Sequence, residues 1–173
     1  MKTFTNILAS SIAAFLIFVS PVFANDIYIQ QSGNALDLDI TQDGQNNVAG
    51  TSSAGIVLQG NSMTFNIDQV GNSNVVSATI KGVTYTGNID LTGDSNDVAL
   101  LCSSASTGNC DTVSMSIDVT GSSADINVNI GEGADAESFT GTIDVASAAD
   151  ETITLTANGK SAIADIDVSN SSG

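Results

Sequence analysis

One frame recurs along the chain at a spacing that few folds accommodate: Ile, a polar residue, Gln or an aliphatic, any residue, then Gly or another small residue. It reads Ile40-Thr41-Gln42-Asp43-Gly44, Ile67-Asp68-Gln69-Val70-Gly71, Ile89-Asp90-Leu91-Thr92-Gly93 and Ile117-Asp118-Val119-Thr120-Gly121. Two decayed copies follow, Ile143-Asp144-Val145-Ala146-Ser147 and Ile166-Asp167-Val168-Ser169-Asn170. Successive isoleucines stand 27, 22, 28, 26 and 23 residues apart. A weaker series lies between them, and Gly60, Gly71, Gly82 and Gly93 step by eleven. Internal self-similarity at a fixed period of this size marks a repeat architecture.

Eleven residues hold one short strand and one tight turn. Leu38, Ile40 and Gln42 alternate with Asp39, Thr41 and Asp43, and Met63-Phe65-Ile67, Val113-Met115-Ile117-Val119 and Ile126-Val128-Ile130 alternate likewise. That is the period of two expected of a half-buried strand. Gly and Asn are expected to supply positive-φ turns. The predicted fold is all-β: a parallel β-solenoid of about six two-stranded coils with a period near 22 residues. No coil buries its apolar face alone, so stacking makes the core.

Stacking in register predicts four side-chain rows. Ile40, Ile67, Ile89, Ile117, Ile143 and Ile166 form an inward ladder. Two positions on, Gln42 and Gln69 give way to Leu91, Val119, Val145 and Val168. Stacked amides satisfy one another along the axis, and Asn47, Asn74 and Asn96 are expected to do so at the turn beside Gly44, Gly71 and Gly93. Asp68, Asp90, Asp118, Asp144 and Asp167, following Thr41, form an outward line. With neighbours about 4.8 Å apart, this line is a solvated face and a weak candidate for divalent cations, which favour oxygen ligands. Insertions at 48–54, at the cysteine loop and at 131–137 are expected as surface loops.

Residues 1–24 carry one base, Lys2, then an apolar run over 7–19, then Val22 and Ala24 before Asn25. That is the pattern of a secretory signal peptide cleaved after Ala24, leaving one domain over 25–173. The run is too short for a transmembrane anchor, which needs about 20 residues. Export suits Cys102 and Cys110, which bracket a small, polar stretch and are expected to form a disulfide.

Composition excludes whole classes of function. The chain has three Lys+Arg, nineteen Asp+Glu and no His. Without Lys2 the remaining two bases face nineteen acids, a net charge of −17. Nothing is present to neutralise phosphate, so nucleic acid is excluded as a partner. An enzyme is not expected, and neither is a cofactor. The paired acids Asp135 and Glu137 have no aromatic neighbour to raise one pKa or stack on a sugar. Thr-x-Thr stretches at 84–86, 140–142 and 152–156 do not share one frame position, which speaks against an ice-binding threonine array.

These residues resemble the curlin repeat of bacterial curli fibres, whose core is Gln-x-Gly-x-x-Asn-x-Ala about every 22 residues. Gln42-Asp43-Gly44-Gln45-Asn46-Asn47-Val48-Ala49 matches that core throughout, and Gln69-Val70-Gly71-Asn72-Ser73-Asn74 matches as far as its Asn. Gly93-Asp94-Ser95-Asn96 keeps the turn half and Gln31-Ser32-Gly33 the Gln half. Leu36 and Met63 stand where the family has Ser, and beyond about residue 100 only the period, the Ile ladder and some glycines persist. The resemblance implies a divergent secreted subunit that crosses the periplasm, leaves through a dedicated outer-membrane pore, meets a curli-type nucleator and self-assembles into extracellular amyloid fibres for adhesion and biofilm matrix. The alternative is a monomeric secreted β-solenoid that binds a surface ligand or cation.

Overall fold

A computed structural model describes residues 25–50, 55–103, 110–132, 136–147 and 149–170. The predicted signal peptide and most of the cysteine loop lie outside the described residues. Twelve strands follow one another: β1 (Asn25–Ile27), β2 (Gln30–Ser32), β3 (Asp37–Asp43), β4 (Asn46–Ala49), β5 (Ile56–Gln59), β6 (Met63–Val70), β7 (Ser73–Lys81), β8 (Tyr85–Ser103), β9 (Thr112–Glu132), β10 (Ala136–Ser147), β11 (Glu151–Ala157) and β12 (Gly159–Asn170). All pairings are parallel. The chain is a parallel β-solenoid of about five turns.

Two walls face each other across the core. One stacks β3, β6, the first half of β8, the first half of β9, β10 and β12. The other stacks β1 and β2, then β4 and β5, then β7, the second halves of β8 and β9, and β11. Strict alternation explains why these residues make strands. In β6, Met63, Phe65, Ile67 and Gln69 are buried while Thr64 and Val70 are exposed. Ile56, Leu58, Ile80, Val98, Leu100, Ile126, Val128 and Ile130 from the second wall close the core against Ile67, Tyr85, Ile89, Leu91, Ile117, Val119 and Val145 from the first.

The first wall interlocks large residues with glycines. One inward column runs Leu38, Phe65, Gly87, Met115, Gly141, Ala164. A Cβ on Gly87 would strike the Phe65 ring and, at 2.8 Å, Met115 Sδ. The two bulky side chains share the volume that Gly87 vacates, so the column keeps native packing density.

The turn expectation holds at Gly33, Gly50, Gly60, Gly82 and Gly131, whose φ is positive, and needs correction elsewhere. Gly93 and Gly121 sit inside the continuous strands β8 and β9, and their φ is not positive. Glycine is needed there because rungs approach closely: a Cβ on Gly121 would overlap the carbonyl oxygen of Gly93, and one on Gly93 that of Gly71. Several corner positions that do adopt positive φ are not glycine, namely Ala35, Ser62, Thr84 and Asp150. The expected loop over 48–54 also begins too early. Val48 and Ala49 belong to β4, paired with Val75 and Val76, and Ala49 is buried. The 131–137 insertion is shorter too, since Gly131 lies in β9 and Glu137 in β10.

Candidate assembly interface

The pairing register brings each predicted row into a line. Ile40, Ile67, Ile89, Ile117, Ile143 and Ile166 are successive partners. The first five are 4% exposed or less, whereas Ile166 is 45% exposed. Gln42, Gln69, Leu91, Val119, Val145 and Val168 are partners in the same way.

The amides form two ladders of opposite polarity. Gln69 Nε2 donates to Gln42 Oε1 at 2.6 Å, toward the N-terminal end. Asn47 Nδ2 donates to Asn74 Oδ1 at 3.2 Å, and Asn74 Nδ2 to Asn96 Oδ1 at 2.9 Å, toward the C-terminal end. The Asn amides also cap the corner: Asn47 donates to the Val70 carbonyl, Asn74 to Thr92 and Asn96 to Gly93. The glycine series Gly44, Gly71 and Gly93 lets these amides come close, since a Cβ on Gly93 would meet Asn74 Nδ2 at 2.7 Å. Each ladder ends in an orphan. Gln69 Oε1 and Asn47 Oδ1 are buried without a hydrogen-bond partner among the described residues.

Thr41, Asp68, Asp90, Asp118, Asp144 and Asp167 are also successive partners. Burial first, then the charges of Asp118 and Asp68, push Asp90 above its ordinary carboxylate value. A second carboxylate pair escaped the sequence reading: Asp97 and Asp125 face each other on the other wall, and burial, then Asp125, raises Asp97. Its signal was parity, because each acid follows a ladder residue, Asn96 or Ala124. Among the described residues no group of three or more His, Cys, Asp or Glu is placed to hold a metal ion. The Thr-x-Thr stretches do stand at different frame positions, with 152–156 on the second wall, but one exposed column collects Thr64, Thr86, Ser114 and Thr140. Its neighbours across the wall are Asn66, Asn88, Ser116 and Thr142, and then the Asp line.

Cys102 and Cys110 form a disulfide, and both are buried. Cys102 sits in the inward column between Ile80 and Ile130, so the bond ties one wall to the start of the next rung. Tyr85, also unremarked in the sequence, is buried in the first wall and donates its hydroxyl to the Gly60 carbonyl at 2.8 Å. Burial pushes that hydroxyl up to about 12.

The two ends differ from everything between them. On β12, Ile166 and Val168 are each 45% exposed, while their partners Ile143 and Val145 one rung earlier are 3% and 0% exposed; Ile163 lies in the outward column of Thr140. At the other end Ile27, Ile29, Leu36 and Leu38 pack only partly against the core. Among the described residues β12 has one strand neighbour, β10, and β3 has one, β6. Both ends therefore present an unpaired row of backbone donors and acceptors beside uncovered apolar side chains, the features that template further strands. Comparison with family models, with curated proteins and with solved structures gives no match. Among the described residues no helix is long and apolar enough to cross a membrane.

Proposed function

We propose that this chain is a structural subunit, secreted after cleavage at Ala24, that polymerises end to end into curli-like extracellular amyloid fibres for adhesion and biofilm matrix. The reading rests on one observation: large apolar side chains are exposed on the last strand in columns that are buried one rung earlier. Burial of such side chains is worth about 1.5–3 kcal/mol each, and a second copy laid on β12 supplies it while pairing the open edge. Each copy then contributes its whole stack of two-stranded coils, its terminal strands covered by neighbours. The match of residues 42–49 to the curlin core supports passage through a curli-type secretion pore and contact with a curli-type nucleator.

Thioflavin fluorescence, electron microscopy and fibre diffraction on residues 25–173 test the reading. A lag phase, abolition of the lag by seeds and a reflection near 4.8 Å along the fibre are expected. A stable monomer that does not respond to seeds at high concentration would transfer the assignment to a secreted binding module.

A further inference from the structure

Carboxylates on the outer face of the first wall have an uneven distribution. One outward column runs Asp37, Thr64, Thr86, Ser114, Thr140, Ile163, and the next runs Asp39, Asn66, Asn88, Ser116, Thr142, Asp165. Another runs Asp43, Val70, Thr92, Thr120, Ala146, Ser169. In all three, acids stand only on the terminal strands β3 and β12, and interior rungs hold neutral residues. The Asp68 to Asp167 line shows the reverse: its interior is acidic and its first member is the neutral Thr41.

Extending the same register by one rung fixes what meets at a joint between two copies. Inside, the fit is apolar: Leu36, Leu38 and Ile40 of the incoming copy fall on Ala162, Ala164 and Ile166. On the second wall Ile27 and Ile29 fall on Ile153 and Leu155. Leucine over alanine repeats the large-over-small packing seen at Gly87. Outside, Thr41 falls on Asp167 without conflict, but Asp39 falls on Asp165. Accepting the fibre reading above, on which this rests, we infer that the joint between copies is an acid gate. Repulsion between Asp39 of one copy and Asp165 of the next opposes addition at neutral pH, and protonation or salt releases it.

The surroundings of the two carboxylates offer no relief. Beside Asp39 stand Asp37 and Thr41 on β3, with Asp43 further along, and Asn66 and the diagonal Asp68 on β6. Beside Asp165 stand Ile163 and Asp167 on β12, and Thr142 and the diagonal Asp144 on β10. Lys160, on the same strand as Asp165, is engaged with Glu137 at 3.4 Å near the start of β12. Across the joint, five carboxylates of β3 and β12 thus gather with no cation between them. Acids on an edge strand slow unwanted pairing, and here the same edge must later pair.

Seeded elongation of residues 25–173 tests the gate, with preformed wild-type seeds, low ionic strength and pH from 7 to 4. Elongation should accelerate as pH falls and, at pH 7, as sodium chloride is added. Asp39→Asn and Asp165→Asn should each raise the pH 7 rate about fourfold, the factor for one pair of unit charges at strand spacing in water. Both should flatten the pH profile, and Thr41→Asp, placed opposite Asp167, should slow elongation by a similar factor. Asp94→Asn removes one charge from an exposed mid-stack position and should leave the rate unchanged. Equal acceleration by Asp94→Asn, or wild-type rates and pH dependence in the Asp39→Asn/Asp165→Asn double variant, overturns the gate while the fibre reading stands. Absence of fibres for every variant at every pH overturns both.

Discussion

The N-terminal and C-terminal halves of the solenoid fill the same two columns with opposite chemistry. In the first half the columns hold Gln42 and Gln69, and Asn47, Asn74 and Asn96. In the second they hold Leu91, Val119, Val145 and Val168, and Ala124 and Glu151. The backbone register is continuous through both columns, its one shift among the described residues of β8 and β9 falling after Cys102. Buried amides are therefore not required by the fold; they are tolerated where a neighbour in the column reciprocates. A run of amides satisfies its members and leaves one unmet acceptor at its end, so it is least costly per residue when long. The aliphatic run from Leu91 to Val168 leaves none, whereas the other column closes on Glu151, whose Oε1 is buried without a partner among the described residues. The half that matches the curlin core is the half with such runs.

The comparison breaks most visibly if an amide is moved to the wrong half. Val145 is fully buried between Val119 and Val168. Val145→Gln should cost about 3 kcal/mol, the penalty of a buried polar group without partners, read as a lower urea midpoint. Leu91→Gln sharpens the same point. Its new Nε2 would face the orphaned Gln69 Oε1, extending the ladder by one rung and moving the orphan to the next. Its cost should stay below about 1.5 kcal/mol. Equal losses for the two variants would show that neighbouring amides do not reciprocate.

The smallest effect concerns the outer face. Asp90 and Asp97 are held above the ordinary value of 3.8 by burial and by carboxylates on adjacent rungs. The folded chain therefore binds these protons more tightly than the unfolded chain. Stability from this source is complete below the unfolded value and disappears as pH rises through the raised folded value. Asp90→Asn should raise Tm at pH 7 by roughly 1–4 °C and give little gain at pH 3, measured by thermal circular dichroism. A larger gain at pH 3 than at pH 7 would reverse the assigned sign.

Much of this architecture was legible because two periods coincide. Strand parity sorts inward from outward residues, and the Ile frame aligns one rung with the next, so the Ile, Gln, Asn and Asp columns could be written from the sequence. Features that depend on a neighbour's volume could not. Gly87 looks like a turn residue until Phe65 and Met115 are seen to occupy its place. Gly93 and Gly121 look like bends until the carbonyl beneath each is located. The column of Thr64, Thr86, Ser114 and Thr140 does not show in the Thr-x-Thr stretches, because a serine interrupts its threonines and only the rung register aligns them. Exposure of Ile166 was illegible for another reason: its local sequence matches the buried copies, and only its place at the end of the stack distinguishes it.

Because among the described residues β1 pairs only with β4 and β12 only with β10, the first and last described strands lie at opposite tips of the stack. A pull between the two tips runs along the inter-rung hydrogen bonds and loads one rung at a time, as in unzipping. Rungs such as the one from Asn74 to Asn96, 22 residues apart, would each release roughly 75 Å of contour. The Cys102–Cys110 bond withholds its loop from that extension. A filament of such units would give way by gradual lengthening, absorbing work before it breaks.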